Sequence, residues 1–123
     1  MSFKPDQFTV WAEIPVSDLD RAIAFYNQVF NTELKRDDNG SNPMAMFPTS
    51  NPDGAAGHLY PGKPAAAGAG PTVHLACPDT VEETMARVKA AGGQVVSDVF
   101  TIPSGRFAYA TDPDGNSLGL FSA

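Results

Sequence analysis

Pro-Asp-Gly occurs twice in this chain, at Pro52-Asp53-Gly54 and Pro113-Asp114-Gly115, and the spacing of 61 residues is about half of the 123 in the sequence. The same spacing carries Ala12–Val16 onto Val73–Cys77 and the acidic helix start at Asp18 onto Asp79. Both halves therefore read as strand, helix, then strands that end in a Pro-Asp-Gly turn and a last strand. Identities are few, so agreement of pattern carries the duplication, and the helices align slightly better at a spacing of 62. A module of about 60 residues buries only about 60% of its unfolded surface, so neither half is expected to fold alone.

Charge and hydropathy narrow the function classes. The chain is 42% hydrophobic and 18% charged with a net charge of −6, an ordinary globular profile with an acidic tilt. Its eight Lys and Arg residues are scattered, which leaves no basic footprint for phosphates and argues against nucleic acid. No run of about 18 apolar residues offers a membrane span, and Met1-Ser2-Phe3-Lys4-Pro5 lacks the apolar core of a secretory signal. The expected setting is cytoplasmic. One cysteine, Cys77, cannot form an internal disulfide and reads as a small buried hydrophobe.

Periodicity places the elements. From Phe8 to Val16, Val10, Ala12, Ile14 and Val16 alternate with Thr9, Trp11 and Glu13, so one face of a strand meets a helix and the other does not. Ser17-Asp18-Leu19-Asp20 caps a helix to about Phe30, with Leu19, Ala22, Ile23, Tyr26 and Phe30 at helical spacing. Short strands are expected near Leu34, over Met44–Phe47 and over Ala55–Tyr60. The Pro-, Gly- and Ala-rich stretch Pro61–Pro71 reads as a linker. The second half repeats the plan. Thr72–Cys77 is a strand, and a helix from Asp79 or Thr80 is stopped by Gly92-Gly93. Strands follow near Gln94–Thr101, Arg106–Thr111 and Asn116–Phe121. Modules are assigned to residues 1–62 and 63–123, forming one structural unit.

The strings Ile14-Pro-Val-Ser-Asp-Leu-Asp-Arg-Ala-Ile-Ala-Phe-Tyr-Asn-Gln-Val-Phe30 and Gly105-Arg-Phe-Ala-Tyr-Ala-Thr-Asp-Pro-Asp-Gly-Asn-Ser-Leu-Gly-Leu-Phe121 resemble the two hallmarks of the vicinal oxygen chelate superfamily, the glyoxalase I, bleomycin-resistance and extradiol-dioxygenase group. The resemblance implies an α+β fold. Two tandem βαβββ modules would pair into an open, curved, mostly antiparallel sheet around a cleft, with helices outside. In metal-dependent members one ligand stands on the first strand of each module, five residues before the residue in the place of Val16. Another stands four residues after the Gly of each Pro-Asp-Gly. Those positions here are Trp11, Thr72, His58 and Gly119. Only His58 is a good ligand for a divalent ion, so no metal cofactor is expected at the inherited site. A displaced site of His58, His74 and Glu13 is the alternative.

Within the implied cleft, Glu13 and His74 are related by the repeat and are expected to approach one another as an acid–base pair. Trp11 would offer an aromatic surface to a ligand. Arg106, sharing its face with Ala108 and Ala110, could meet a carboxylate, with Phe107 and Tyr109 in the core behind it. The ligand-binding set is thus Trp11, His58, Thr72, Arg106 and Gly119, with Glu13 and His74 as catalytic candidates. The favoured function is metal-independent binding of a small molecule. A glyoxalase-like lyase or isomerase using Glu13 and His74, or a metal at the displaced site, is the alternative, and a ligand-sensing module the third. The partner is a small molecule, and the linker leaves a homodimer open through exchange of modules.

Overall fold

In the computed structural model, which describes residues 2–123, the chain forms two open sheets and two helices. The first unit contains β1 (Trp11–Val16), α1 (Leu19–Phe30), β2 (Lys35–Asp37), β3 (Met44–Met46) and β4 (Ala56–Pro61). The second contains β5 (Val73–Ala76), α2 (Val81–Ala90), β6 (Gln94–Val95), β7 (Phe100–Ile102), β8 (Gly105–Thr111) and β9 (Ser117–Ser122). The strand orders are β1-β4-β3-β2 and β5-β9-β8-β6, with β7 also on β8. β1 runs parallel to β4 and β5 parallel to β9, and the other pairings are antiparallel. Among the described residues no ladder joins β1 to β5. The single strand expected near Gln94–Thr101 is broken into β6 and β7, both hydrogen-bonded to β8.

Local chemistry accounts for the helix ends. The Asp18 carboxylate accepts from the Arg21 backbone N–H at 3.1 Å, and the Thr80 hydroxyl from that of Glu83 at 3.0 Å, each satisfying a donor that the first helical turn leaves unpaired. α1 ends on Asn31 in the left-handed region, φ 48°, and α2 is followed by Gly92 at φ 98°. α1 buries Leu19, Ala22, Phe25, Tyr26, Val29 and Phe30, while α2 buries only Val81, Thr84 and Val88.

One core runs through both units, with Ile14, Val16 and Leu59 from the first sheet and Ala108, Leu118 and Leu120 from the second. Polar links fasten the units together. The buried Tyr26 hydroxyl donates to Asp112 Oδ2 at 2.7 Å, Asn116 Nδ2 to the Pro15 carbonyl at 2.8 Å, and Arg87 Nε to the Val29 carbonyl at 2.7 Å. Burial and the neighbouring Asp112 charge hold the Tyr26 phenol well above its usual pKa. Ser17 donates both its backbone N–H and its hydroxyl to Asp114, so that aspartate of the second Pro-Asp-Gly ties the turn to the start of α1.

Candidate functional site

Each sheet packs one face on the helices and leaves the other open. On β1, Ala12, Ile14 and Val16 go toward the core, so Trp11 and Glu13 stand on the open face. The parallel register pairs Glu13 with His58 and Trp11 with Ala56, bringing His58 to the same face. That close register depends on Gly57, where a side-chain Cβ would lie 2.4 Å from the Ala12 carbonyl oxygen.

The three side chains form a connected cluster. Trp11 Nε1 donates to His58 Nδ1 at 2.9 Å, and Glu13 Oε1 lies 3.4 Å from His58 Nε2. His58 is 8% exposed and Trp11 41%, so the imidazole is sheltered beneath an indole that remains accessible. Tyr60, two residues along β4, packs edge-on to the His58 ring at 6.0 Å. An indole N–H can only donate. His58 Nδ1 therefore presents its lone pair to Trp11, and in the neutral ring the proton sits on Nε2, facing Glu13.

The open face of the second sheet is aromatic. His74 is opposite Gly119 on β9, which in turn is opposite Tyr109 on β8. The His74 ring lies over Gly119, where an added Cβ would come within 2.2 Å of its Nδ1. Phe107 and Tyr109 meet the ring edge-on at 5.6 and 5.9 Å, and Phe100 on β7 packs against both. Thr72 shares a 2.6 Å hydrogen bond with the Ser117 hydroxyl.

Several expectations from the sequence change here. Glu13 meets His58, not the expected His74, because the ladder of β1 is with β4 and not with β5. Arg106 stands on the helix side, where its guanidinium pairs with Glu82 of α2 at 2.6 Å. The Ala108 and Ala110 beside it are fully buried, so they leave no room for a ligand. Phe107 and Tyr109 are half-buried on the open face and are not core. A small-residue stripe on β8 lets α2 approach the sheet, and the aromatic residues face out. Cys77 is half-buried, and desolvation pushes its thiol upward in pKa, which makes it a poor nucleophile.

The inherited metal positions do not fit an ion. Trp11 and Gly119 bring no donor side chain, Thr72 brings a neutral hydroxyl already bonded to Ser117, and His58 Nδ1 is taken by Trp11. Ligation through His58 Nε2 would require the ring proton to move to Nδ1, where it would confront the indole N–H. The displaced set of His58, His74 and Glu13 is not assembled either: among the described residues no three His, Cys, Asp or Glu side chains are grouped to hold a metal.

The sequence model of the Glyoxalase/Bleomycin resistance protein/Dioxygenase superfamily matches residues 7–120. The chain belongs to that superfamily. Among known proteins, this superfamily member is 30% identical over 120 residues to "Putative glyoxylase CFP32" of Mycobacterium bovis and to its namesake in Mycobacterium tuberculosis. Each match covers 92% of the chain but only 44% of the relative, so the chain spans less than half the length of these curated relatives. A glyoxalase/bleomycin resistance protein from Albidiferax ferrireducens superposes with a TM-score of 0.69 at 21% identity, over 94% of this chain and 98% of that one. A glyoxalase I variant from Zea mays gives 0.70 at 22%, over 92% of this chain and 45% of the other. At these identities the structural likeness speaks to the fold. The chain has no described helix long and apolar enough to cross a membrane.

Proposed function

We propose that this superfamily member binds a small molecule on the open sheet face without a divalent ion at the inherited positions. The observation that carries the reading is the hydrogen bond from Trp11 Nε1 to His58 Nδ1. It occupies one imidazole nitrogen and leaves the other as a fixed N–H donor, beside an accessible indole face and the Glu13 carboxylate. Such a cluster suits a ligand with a flat apolar portion, which stacks on Trp11, and an acceptor oxygen that takes the His58 proton in a hydrogen bond. Elemental analysis of protein purified without chelators tests the first half of this. Well under one Zn, Ni, Fe or Mn per chain is expected, and about one such ion that is lost in His58→Ala overturns the reading. Titration of flat aromatic and heteroaromatic compounds against Trp11 emission, the sole tryptophan signal, tests the second. A tight binder that leaves the emission unchanged would remove Trp11 from the site.

A second reading, a glyoxalase-like lyase or isomerase, has one observation in its favour, the carboxylate–imidazole contact between Glu13 and His58. Acid–base residues of this kind typically contribute about 10²–10⁴-fold. Turnover of an α-proton-bearing substrate that falls by this order in Glu13→Gln, with binding retained, would select this reading over simple binding.

A further inference from the structure

The internal repeat relates two hollows at opposite ends of the seam between β1 and β5, and they are unequal. One measures about 150 Å³ and is bounded by Glu13–Pro15, Val73, Asn116–Leu118 and the linker residues Ala65, Ala69, Gly70 and Pro71. The other measures about 480 Å³. Shifted by the spacing of Pro52 from Pro113, every residue of the first set outside the linker falls on a residue lining the second. The linker residues fall on Lys4, Phe8, Thr9 and Val10, and of these only Thr9 reaches the larger hollow. Phe8 and Val10 are instead 77% and 66% exposed. The chain thus roofs one end of the seam with its linker, and the corresponding segment at the other end stands off.

The turns show the same inequality. In the second unit Gly115 N–H donates to the Asp112 carbonyl and Asp114 N–H to the Asp112 side chain, both at 2.9 Å. In the first, Gly54 and Asp53 make the same two bonds to Asn51 at 2.9 and 3.0 Å. Asp112, however, is also bound by Tyr26 across the seam, whereas Arg87, the repeat counterpart of Tyr26, is engaged by Asp79 and the Val29 carbonyl. The loop carrying the first Pro-Asp-Gly is therefore not drawn against α2, and the larger hollow lies beside it, reached by Pro48, Thr49 and Ala55.

Its walls have a definite chemistry. Ala12, Ile14, Phe30, Phe47, Val73 and Leu75 provide apolar surface, threonines and His74 the polar groups, and no Asp, Glu, Lys or Arg lines it. None of Trp11, Glu13 and His58 lines it, and Ala12 and Ile14 stand on the opposite side of β1 from Trp11 and Glu13, so this hollow is distinct from that cluster, with His74 bordering it from the second sheet. Its volume is within the range of small-molecule sites, about 300–1,000 Å³.

We propose that the larger hollow is a second binding site, for a small, neutral and largely apolar molecule, and that the segment Phe3–Val10 closes over it as the linker closes over its counterpart. Phe8 and Val10 then leave solvent on binding, which gives burial of apolar surface as the closing force. The neutral fluorophore N-phenyl-1-naphthylamine serves as the probe. Saturable binding at one site per chain is expected, weakened about tenfold or more both by Ala12→Phe, which fills the hollow, and by deletion of residues 2–8. Because Ala12→Phe could disturb the strand, amide hydrogen exchange of the unaltered protein provides an independent measurement, with probe-dependent protection expected over residues 3–10 and β5. Absence of saturable binding overturns the site. So does weakening by His58→Ala with none by Ala12→Phe, which puts the probe on the open face. Full affinity in the truncated chain, or no added protection over residues 3–10, overturns the closing segment.

Discussion

Trp11 donates its indole N–H to His58 Nδ1 at 2.9 Å, and this single bond fixes which imidazole nitrogen carries the proton. Nitrogen-15 chemical shifts of the neutral ring are expected to report the Nε2–H form alone. In Trp11→Phe the constraint is gone, and both neutral forms should appear. The same variant should take up Zn²⁺ more readily through His58, because either nitrogen can then supply a lone pair. A mixed population in the unaltered protein would mean that the indole does not hold the ring.

The Tyr26–Asp112 bond crosses between the two units inside the core, with Tyr26 fully buried. Tyr26→Phe removes the donor but leaves Asp112 accepting from Asn116 Nδ2 at 2.8 Å and from two backbone N–H groups. Asp112 is thus not stranded, and the loss should be that of one bond to a charged group, about 1.5–3 kcal/mol, read from chemical denaturation. Asp112→Ala should cost more, since the Tyr26 hydroxyl and the backbone N–H groups of Asp114 and Asn116 all lose their acceptor. Equal effects of the two variants would contradict the hub role of Asp112.

Acid stability should respond to the pair at the foot of α2. Arg87 hydrogen-bonds both Asp79 oxygens, at 2.7 and 2.9 Å, and lowers the Asp79 pKa from the usual 3.8 to about 2. A folded-state value below the unfolded one stabilises the fold above the unfolded pKa, and that contribution is lost as the pH falls from about 4 toward 2. Asp79 also pushes the Glu83 carboxyl upward, an effect of opposite sign, so the comparison belongs in a Glu83→Gln background. There, the stability difference between the Asp79 and Asp79→Asn proteins should be constant above pH of about 4 and shrink steadily below it. A difference that persists to pH of about 2 would show that Arg87 is not the cause.

Much of this architecture was legible in the residues because local signals and the repeat agreed. Asp18 and Thr80 cap their helices as their side chains suggest, and Trp11, Glu13 and His58 share the face that strand alternation assigns them. The face of β8 was not legible. Ala108 and Ala110 alternate with Phe107 and Tyr109, and size alone puts the aromatic pair in the core. What decides the matter is the approach of α2, which admits only small side chains beneath it, a tertiary fact that no local window contains. The partner of Glu13 was obscured for a similar reason. The repeat relates Glu13 to His74, yet among the described residues the strand ladder of β1 is with β4 alone, and symmetry of sequence is not adjacency in space.

Two glycines offer a contrast that tests the site from opposite directions. At Gly57 an added Cβ would meet the Ala12 backbone carbonyl at 2.4 Å, a group that cannot turn aside without parting β1 from β4. Gly57→Ala should therefore destabilise by about 1–3 kcal/mol, the usual range for overpacking, and should also loosen the Trp11–His58 bond, since those residues are held by that register. At Gly119 the obstacle is the His74 ring, a side chain that can rotate off the sheet. Gly119→Ala should forgo only the edge-on contacts of His74 with Phe107 and Tyr109, about 0.5–1.5 kcal/mol. It should leave the first sheet unchanged while shifting the His74 ring resonances. Thermal melts of both variants, with Trp11 emission recorded alongside, separate the two outcomes. A perturbed Trp11 signal in Gly119→Ala would instead couple the two open faces directly, and equal melting temperatures would mean that the β1–β4 ladder tolerates a spread that its register does not show.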